Sequence, residues 1–418
     1  MNRYFKYIAG VVMLAATVAL LACGQEPAPA PATGGAEPTA VMQATEAPAQ
    51  PAAPEATTAA AAPSAPGAPT AMPAATPTEA VSAPQPSPSV PIQAGNRLQT
   101  VRDRGHVICA SRNDVPGYGS LDTSGNNVGF DIDLCRALAA AVLGDPSAIE
   151  IRLITAAERG PTVQSGEVDM LVRTVTWTTS RDAQWGNYAQ TMFYDGQGFM
   201  VRRDLGVNSA FELEGATVCV TQGTTTELNL QDFSNQNNLG ISPLTFEDTD
   251  AVVAAYEGQQ CDAFTNDRSQ LAALGTALAN RADHVILPET ISEEPLGPVV
   301  PHGDDQWFDI VKTVMSILIY GEAYGVTSAN ASGAATGDTK VDRLLGHEGS
   351  WGQESLGLSQ TAAQDVITAV GNYGEIYNRN LGPDGIDLPR ENGRNALWAN
   401  APCSDCPKGG QIYAAPLR

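Results

Sequence analysis

Basic residues are scarce in this chain. Its 418 residues include 23 Lys and Arg against 46 Asp and Glu, which gives a formal net charge of −23 at pH 7. Residues 1–22 carry +2 and residues 24–95 carry −5, so the remaining chain carries −20. A surface of this sign repels phosphate backbones and anionic headgroups, which excludes nucleic-acid binding and electrostatic docking on a membrane. It does not exclude a small anionic ligand, because a few arginines can dominate the potential inside a cleft.

Aromatic residues are absent from one long stretch. No Phe, Trp or Tyr lies between Tyr7 and Tyr118, and residues 24–95 hold 16 of the 29 prolines. Such a segment cannot bury enough apolar surface to offset its ordering entropy, which predicts a disordered tether. As a flexible coil, its 72 residues would span about 47 Å. The globular part therefore begins near Asn96 and has about 323 residues, more than one core usually organises.

Long apolar runs are also lacking, since no run after residue 22 is long enough to cross a bilayer. The run Ile8–Leu21 has fourteen residues and follows the basic segment Met1–Tyr7, a pattern typical of a signal peptide. We therefore expect residues 1–22 to be removed on export.

The signal ends in Leu20-Leu21-Ala22-Cys23-Gly24, which resembles the bacterial lipobox, where the cysteine is acylated and becomes the mature N-terminus. This predicts an extracytoplasmic protein that lipidated Cys23 anchors to the cell membrane, with residues 23–95 as anchor and tether. The alternative is an ordinary signal peptide whose cysteine is incidental.

Cysteines are few, and one of the seven is Cys23. The six that remain are an even number in an exported chain, which predicts disulfides, with 15 pairings open. Cys403 and Cys406 lie in a loop bracketed by prolines, where we expect a local disulfide rather than a redox or zinc site. The four histidines show no metal-ligand spacing, so no metal or cofactor is predicted.

Short strand-like runs alternate with helical runs from Asn96 onwards, which predicts an α/β fold. Val168–Val175 and Cys261–Thr265 have the composition of buried strands. A helix is expected to end at Leu143, and Asp131 is placed where an N-cap is favoured.

The segment Gly129-Phe-Asp-Ile-Asp-Leu-Cys-Arg-Ala-Leu138 resembles the signature of polar amino-acid solute-binding proteins of ABC importers. Further segments follow in that family's order and at about its spacing: Thr174–Arg181, Gln222–Thr226 and Cys261–Asp267. One branch of this family binds L-amino acids in general, or glutamate, glutamine, aspartate and asparagine. Three further segments resemble sequences typical of that branch: Tyr194–Val201, Gly303–Val311 and Gly371–Ile376. The resemblance covers essentially all of residues 96–418.

This resemblance implies a two-lobed periplasmic-binding-protein fold, in which each lobe is a mixed sheet flanked by helices and two crossover strands join the lobes. Lobe I would comprise residues 96–195 and 298–418, the latter with a C-terminal extension, and lobe II residues 196–297. The branch also carries cysteines at the positions of two pairs, which implies the disulfides Cys109–Cys135 and Cys219–Cys261.

The resemblance further implies a ligand between the lobes. A free amino acid presents a carboxylate and an ammonium group on one carbon. Arg181 is expected to bind the carboxylate, because a guanidinium offers a bidentate fork. Thr224 and Thr225 at a helix N-terminus would add donors to it, as would Thr176. Asp267 is expected to accept the ammonium group, together with Thr174.

The ligand's side chain would meet Arg112, Arg159 and Tyr118, in segments that resemble those of glutamate- and aspartate-binding relatives. Two arginines would suit an acidic or amide side chain. Arg159 also occurs in the broad-specificity branch, and Gly160 departs from the larger apolar residue usual there, so a general preference stays open. Tyr118 fits a core aromatic as well as a ligand contact.

These observations together predict a monomeric, lipid-anchored receptor that captures L-amino acids and delivers them to the membrane permease of an ABC importer. An enzyme that dehydrates a cyclic acid such as arogenate on the same fold is an alternative, although it needs a general acid besides Asp267. An amino-acid sensor for a signalling receptor is another. No catalytic residue is predicted.

Overall fold

The computed structural model describes residues 95–390, 393–399 and 410–417, which all belong to one compact unit. The predicted signal peptide, Cys23, the predicted tether up to residue 94 and the predicted Cys403–Cys406 pair lie outside the described residues. No helix in the described ranges is long and apolar enough to cross a membrane.

Helices and strands alternate along the described chain. The helices are α1 (Arg97–Arg104), α2 (Phe130–Leu143), α3 (Arg159–Gln164), α4 (Thr179–Gln184), α5 (Thr225–Asn237), α6 (Thr249–Glu257), α7 (Arg268–Gly275), α8 (Asp305–Ala323), α9 (Thr339–Leu344), α10 (Ala362–Val370) and α11 (Tyr373–Asn380). The strands are β1 (Val107–Ser111), β2 (Asp114–Val115), β3 (Gly119–Leu121), β4 (Asn127–Val128), β5 (Ile149–Leu153), β6 (Met170–Leu171), β7 (Asn187–Tyr188), β8 (Phe193–Asp195), β9 (Gln197–Arg202), β10 (Thr217–Thr221), β11 (Ser242–Phe246), β12 (Ala263–Asp267), β13 (His284–Ile286), β14 (Glu294–Leu296) and β15 (Val299–Val300).

Two five-stranded sheets organise the molecule. The first has the strand order β5-β1-β6-β15-β7, and the second β11-β10-β12-β9-β13. Each sheet is mixed. In the first, β1 runs parallel to β5 and β6, and β15 runs antiparallel to its neighbours β6 and β7. In the second, β10 runs parallel to β11 and β12, and β9 runs antiparallel to its neighbours β12 and β13. Below, lobe I means the first sheet with its helices, and lobe II the second.

The lobes are joined by a two-stranded antiparallel ribbon of β8 and β14, in which Tyr194 lies opposite Pro295. The chain enters lobe II after β8 and returns to lobe I after β14. This is the predicted fold class, two α/β lobes joined by two crossover strands. The lobe boundaries at residues 195 and 297 stay a prediction.

The core of lobe I forms around α2 and α8. Nearly every residue of α2 is buried, and α8 begins at a side-chain cap in which Asp304 accepts a hydrogen bond from Trp307 N at 2.9 Å. The indole of Trp307 is fully buried and donates to Asp169 O at 2.8 Å, which ties α8 to the loop before β6.

The predicted N-cap of α2 is wrong. The helix begins two residues earlier than this cap implies, at Phe130, and its N-cap is Gly129 with φ 136°, without a side-chain hydrogen bond. A Cβ there would collide with Tyr118 O, so only glycine fits the position. The Asp131 carboxylate instead accepts the backbone N–H of Thr174 at 2.8 Å.

Two predicted strands have other bounds. Of the expected strand Val168–Val175, only Met170–Leu171 forms a strand. Thr174 has φ 45°. A β-branched residue in the left-handed region cannot continue a strand. The expected strand Cys261–Thr265 runs from Ala263 to Asp267, so Asp267 ends the strand instead of following it.

The structure contains both disulfides that the family resemblance implied. Cys109–Cys135 connects β1 to α2 and Cys219–Cys261 connects β10 to the segment before β12. They close loops of 26 and 42 residues, one in each lobe.

We expect reduction of these disulfides to destabilise the protein, because each bond restricts the unfolded chain. Loops of this length correspond to about 3–4 kcal/mol each at most. Urea unfolding of the oxidised and reduced protein measures the loss, and peptide mapping without reductant identifies the pairs. Free thiols at Cys109 or Cys219 in the exported protein would contradict the assignment.

Candidate functional site

A small polar cleft lies between the two lobes, where strands of both sheets end. Lobe I supplies the loops after β1, β5 and β6, and lobe II supplies the end of β10, the N-termini of α5 and α6, and the end of β12. The cleft is lined by Arg112, Ala156, Arg159, Arg173, Thr174, Thr176, Thr221, Thr224, Thr225, Thr226, Thr249, Asn266, Asp267 and Gln270.

Three buried arginines line this cleft, Arg112, Arg159 and Arg173, and a fourth, Arg181, lies behind its wall; each is no more than 7% exposed. Arg112 is paired, since its Nε donates to Asp114 Oδ1 at 2.6 Å. The other three have no ion pair with any described residue. Buried charges without partners are costly and concentrate at functional sites. In a chain of net charge −23, the cleft is therefore a local positive centre.

Trp185 lies outside the cleft lining, and two of the arginines pack against its indole. Below, this side of the cleft is called the Trp185 end. The guanidinium carbons of Arg181 and Arg159 lie 4.8 and 5.8 Å from the centroid of this indole. Gly160 makes room for the ring, because a Cβ there would approach Trp185 Nε1 to 2.6 Å. The unusual glycine in the sequence thus has a physical reason.

Backbone carbonyls orient these two arginines. Arg181 Nη1 donates to Thr176 O at 3.2 Å, and Arg159 donates to Ala156 O at 2.8 Å and, across the cleft, to Gly223 O at 3.1 Å. Burial, and next the neighbouring Arg181, lower the pKa of Arg159 well below its usual value. An anion placed here would relieve both effects.

Arg112 also lines the cleft and connects the two lobes. Besides Asp114, its guanidinium donates to Thr174 Oγ1 at 3.0 Å in lobe I, and to Gln270 Oε1 at 2.9 Å and Thr249 Oγ1 at 2.6 Å in lobe II. These bonds cross between the lobes, so the structure is in a closed arrangement.

Asp267 provides the negative group of the cleft. It is 4% exposed and accepts a hydrogen bond from Gln270 Nε2 at 2.7 Å. Burial, and then the charges of Asp195 and Glu294, raise the pKa of Asp267 well above its usual value. A cation bound beside it would favour the ionised form.

The threonines lie where the two lobes meet. Thr224 is the N-cap of α5 and accepts from Glu227 N at 3.1 Å. Thr225 Oγ1 donates to Glu294 Oε2 at 3.0 Å and lies 3.4 Å from Thr176 Oγ1 of lobe I. The N-terminus of α5 therefore faces the cleft, with Thr225 and Thr176 on opposite walls.

Two predicted site residues lie outside the lining of this cleft. Tyr118 is fully buried, packs edge-on against Phe130 and Phe193, and donates to Ser269 Oγ at 2.7 Å. It belongs to the core between the lobes. Arg181 lies directly behind Thr176, which it reaches through the carbonyl oxygen of that residue.

Sequence reasoning missed Arg173, Gln270 and Thr249. Arg173 directly precedes Thr174, so its position next to the predicted threonines could have identified it. It was overlooked because Val168–Val175 was assigned to a buried strand. Gln270 and Thr249 lie near the starts of α7 and α6 and carry no pattern that separates them from ordinary helical residues.

Comparison with known proteins decides the family. Residues 107–325 match the family of bacterial extracellular solute-binding proteins, family 3. The chain is 46% identical to the general L-amino acid-binding periplasmic protein AapJ of Rhizobium johnstonii, over 77% of this chain and 92% of that protein. It belongs to the family 3 solute-binding proteins. This confirms the resemblance read from the sequence, and solute-binding proteins are not enzymes.

Other family 3 relatives agree with this placement. The glutamate/glutamine/aspartate/asparagine-binding protein BztA of Rhodobacter capsulatus is 44% identical over 78% of this chain and 94% of its own length. A periplasmic binding protein from Brucella ovis, solved with glutathione bound, superposes with a TM-score of 0.71 at 42% identity, covering 77% of this chain and 99% of that chain. The solved relative supports the two-lobed fold.

The pH dependence of stability tests the buried carboxylates behind the cleft. Burial raises the pKa of Asp131 to about 7. The folded state then holds this proton more tightly than the unfolded chain, so stability is fully present below about pH 4 and falls as pH rises through 7. We expect Asp131→Asn, which keeps the acceptor for Thr174 N, to flatten this slope in urea unfolding between pH 4.5 and 7.5.

A matched variant of an exposed aspartate controls this experiment. Hydrogen bonds from Ser147 lower the pKa of Asp145, so Asp145→Asn should leave the slope above pH 4 unchanged. An Asp131→Asn protein with the wild-type slope would show that Asp131 does not titrate in this range.

Proposed function

We propose that this protein captures L-amino acids outside the cytoplasm and delivers them to the permease of an ABC importer. The observation that carries the proposal is a closed cleft that holds buried guanidinium groups and a buried carboxylate side by side. A zwitterionic amino acid needs both. The names of AapJ and BztA, which describe amino-acid-binding proteins, support the same substrate class.

The α-carboxylate is assigned to the Trp185 end of the cleft. Arg181 lies behind Thr176 and supplies the positive charge of this end. Thr224, Thr225 and Thr176 line the space in front of it, where the N-terminus of α5 contributes N–H groups and a favourable dipole. Arg159 adds a second positive charge, since it flanks the same indole. This end suits a planar anion.

The ammonium group is assigned to Asp267. The carboxylate is already oriented by Gln270 and is buried, so an ion pair formed there is poorly screened by solvent. Thr174, on the other wall, adds a hydroxyl oxygen. Charge-assisted contacts are worth about 1.5–3 kcal/mol each, and micromolar affinity needs about 8 kcal/mol, so this set is sufficient.

An amino acid with an acidic or amide side chain is the favoured ligand. Arg159, Arg173 and Arg181 lack ion-pair partners among the described residues, which is more positive charge than one α-carboxylate neutralises. BztA is named for glutamate, glutamine, aspartate and asparagine, and the glutathione of the Brucella relative begins with a glutamyl group. We therefore infer a preference for these four amino acids.

Ligand binding and lobe closure are linked in this proposal. Arg181 and Thr176 belong to lobe I, whereas Thr225 and Asp267 belong to lobe II. A ligand makes more hydrogen bonds when the lobes are closed, and this difference drives closure. The closed surface is then what the permease would recognise.

The lipid anchor completes the proposed function. A signal-like segment ending in Cys23, followed by a tether of 72 residues, would hold a monomeric binder within reach of a membrane permease. Metabolic labelling with a radioactive fatty acid tests the anchor: the label should be lost in Cys23→Ser, and an unlabelled wild-type protein would contradict it.

Calorimetric titration tests the ligand class. We expect heat on adding L-glutamate, L-aspartate, L-glutamine or L-asparagine to the wild type. Arg181→Ala should weaken binding by about 100-fold, because it removes the bidentate partner of the α-carboxylate. The apo-protein should unfold at nearly the wild-type temperature, since Arg181 has no ion pair to lose.

The matched control is Arg152→Ala, an arginine on β5 whose ion pairs with Glu150 and Glu167 are solvent-exposed. It should bind like the wild type. Absence of heat with every L-amino acid would refute the proposed function, and an unchanged affinity in Arg181→Ala would refute the role of that residue.

A further inference from the structure

Three buried carboxylates meet where the crossover strands join the lobes. Asp195 ends β8 and Glu294 begins β14, and these two residues lie directly opposite each other in the antiparallel ribbon. Opposite residues of such a pair lie on one face, so their side chains are neighbours. The third carboxylate is that of Asp267 at the end of β12, and all three residues are no more than 6% exposed. They are called the hinge carboxylates below.

The hinge carboxylates are not neutralised by an ion pair. None of them forms one with a described residue. The side-chain donors on Glu294 are neutral groups of Thr225, Asn229 and Ser292, at 3.0, 2.8 and 2.6 Å. Neighbouring carboxylates that are buried without a cation resist being ionised together, so one of the three is expected to hold a proton.

Asp195 connects the ribbon to both lobes. Its Oδ1 accepts from Gly196 N at 2.9 Å, and its Oδ2 accepts from Ser269 Oγ at the start of α7 in lobe II. Ser269 Oγ in turn accepts from the hydroxyl of Tyr118 in lobe I at 2.7 Å. The bond between Tyr118 and Ser269 crosses from lobe to lobe, so it breaks when the lobes separate. Opening therefore uncovers Asp195 and admits water to its carboxyl group.

The titratable groups that face Asp195 are mostly acidic. Glu294 faces it from β14, Asp267 from β12, and the Tyr118 hydroxyl from lobe I. A positive group approaches from the segment after α11, where the exposed Arg394 donates to the backbone oxygen of Asp195 at 3.2 Å. This bond leaves the carboxylate itself without an ionic partner. The surroundings of Asp195 in the closed state thus favour its neutral form.

The proton affinity of Asp195 depends on closure. Burial raises the pKa of its carboxyl group to about 6, although hydrogen bonds from Ser269 and Gly196 favour the ionised form. When water reaches the group in the open state, its ordinary pKa of about 4 applies. A group whose pKa is higher in the closed state takes up a proton on closing. Closure therefore becomes more favourable as pH falls through about 6, and the gain is complete below about 4.

Asp195 can hold the proton without losing its link to lobe II. A carboxylic acid and a hydroxyl can each donate, so the contact between Asp195 Oδ2 and Ser269 Oγ serves both protonation states. Asp267 is less suited, because the proposed function pairs it with the ammonium group of the ligand and so keeps it ionised. On Glu294, the Asn229 amide only donates, which suits a carboxylate that only accepts.

We propose that Asp195 is a proton switch in the hinge, which takes up a proton from solvent when the lobes close on an amino acid and returns it when they open. Acidic surroundings then strengthen ligand binding. This inference rests on the proposed function, because it takes an amino acid as the ligand that closes the lobes.

Calorimetric titration with L-glutamine or L-asparagine tests the switch, because neither ligand has a side chain that titrates between pH 5 and 7.5. The affinity of the wild type should be about 10-fold higher at pH 5 than at pH 7.5, and binding at pH 6 should take up about half a proton. Titrations at pH 6 in two buffers of different ionisation enthalpy measure the number of protons.

Three variants assign the proton. Asp195→Asn keeps an acceptor for Ser269 and cannot titrate, so its affinity should be the same at both pH values and it should take up no proton. Ser269→Ala removes a hydrogen bond that favours the ionised form, so the change in affinity should move to higher pH. This second variant gives the test if Asp195→Asn does not fold. The exposed Asp145→Asn is the matched control and should behave like the wild type.

Hydrogen exchange of the ligand-free protein gives a readout that needs no ligand. After correction for the intrinsic exchange rate, the start of α7, where Ser269 and Gln270 contact lobe I, should be better protected at pH 5 than at pH 7.5. Asp195→Asn should lose this difference.

The outcomes separate the switch from the proposed function. Affinity that does not change with pH, release of protons on binding, or proton uptake that persists in Asp195→Asn would overturn the switch while leaving amino-acid binding intact. A wild type that binds no amino acid would overturn the proposed function. The pH-dependent protection of α7 would still support the switch in that case, and its absence would overturn both.

Discussion

Buried guanidinium groups without carboxylate partners are the constraint on which this structure depends. Taking such a charge out of water costs several kcal/mol unless polar groups replace the solvent. Here the replacement is mostly backbone: carbonyl oxygens of Ala156 and Gly223 hold Arg159, and those of Ile154 and Thr176 hold Arg173 and Arg181. These carbonyls come from loops at strand ends. The sheets therefore position the positive groups, and the remaining cost is recovered when an anion binds.

Closure is the second consequence of the same arrangement. Arg112 reaches Thr249 and Gln270, and Gln270 in turn holds Asp267, so one amide links the positive group of lobe I to the negative group of lobe II. Closer to the crossover strands, Ser269 accepts from Tyr118 and bonds to Asp195. These contacts join the two lobes and favour the closed state. A ligand needs to add only its own differential contacts to complete the shift.

The sequence predicts the fold class, the family and both described disulfides, because strand–helix alternation and motif order are local features. Five of the residues predicted for the ligand site line one cleft: Thr174, Thr176, Thr224, Thr225 and Asp267. The sequence does not predict that the Asp131 carboxylate accepts the backbone N–H of Thr174 instead of capping α2. That hydrogen bond joins residues 43 positions apart. Nor does it predict that Arg112 donates to Thr249 and Gln270 of the other lobe, because these hydrogen bonds depend on how the lobes pack.

A crystal structure with L-glutamate bound tests the central claim most directly, since it locates both carboxylates and the ammonium group at once. The account predicts the α-carboxylate at Arg181 and Thr225 and the ammonium group at Asp267. A ligand in the reverse orientation would contradict it.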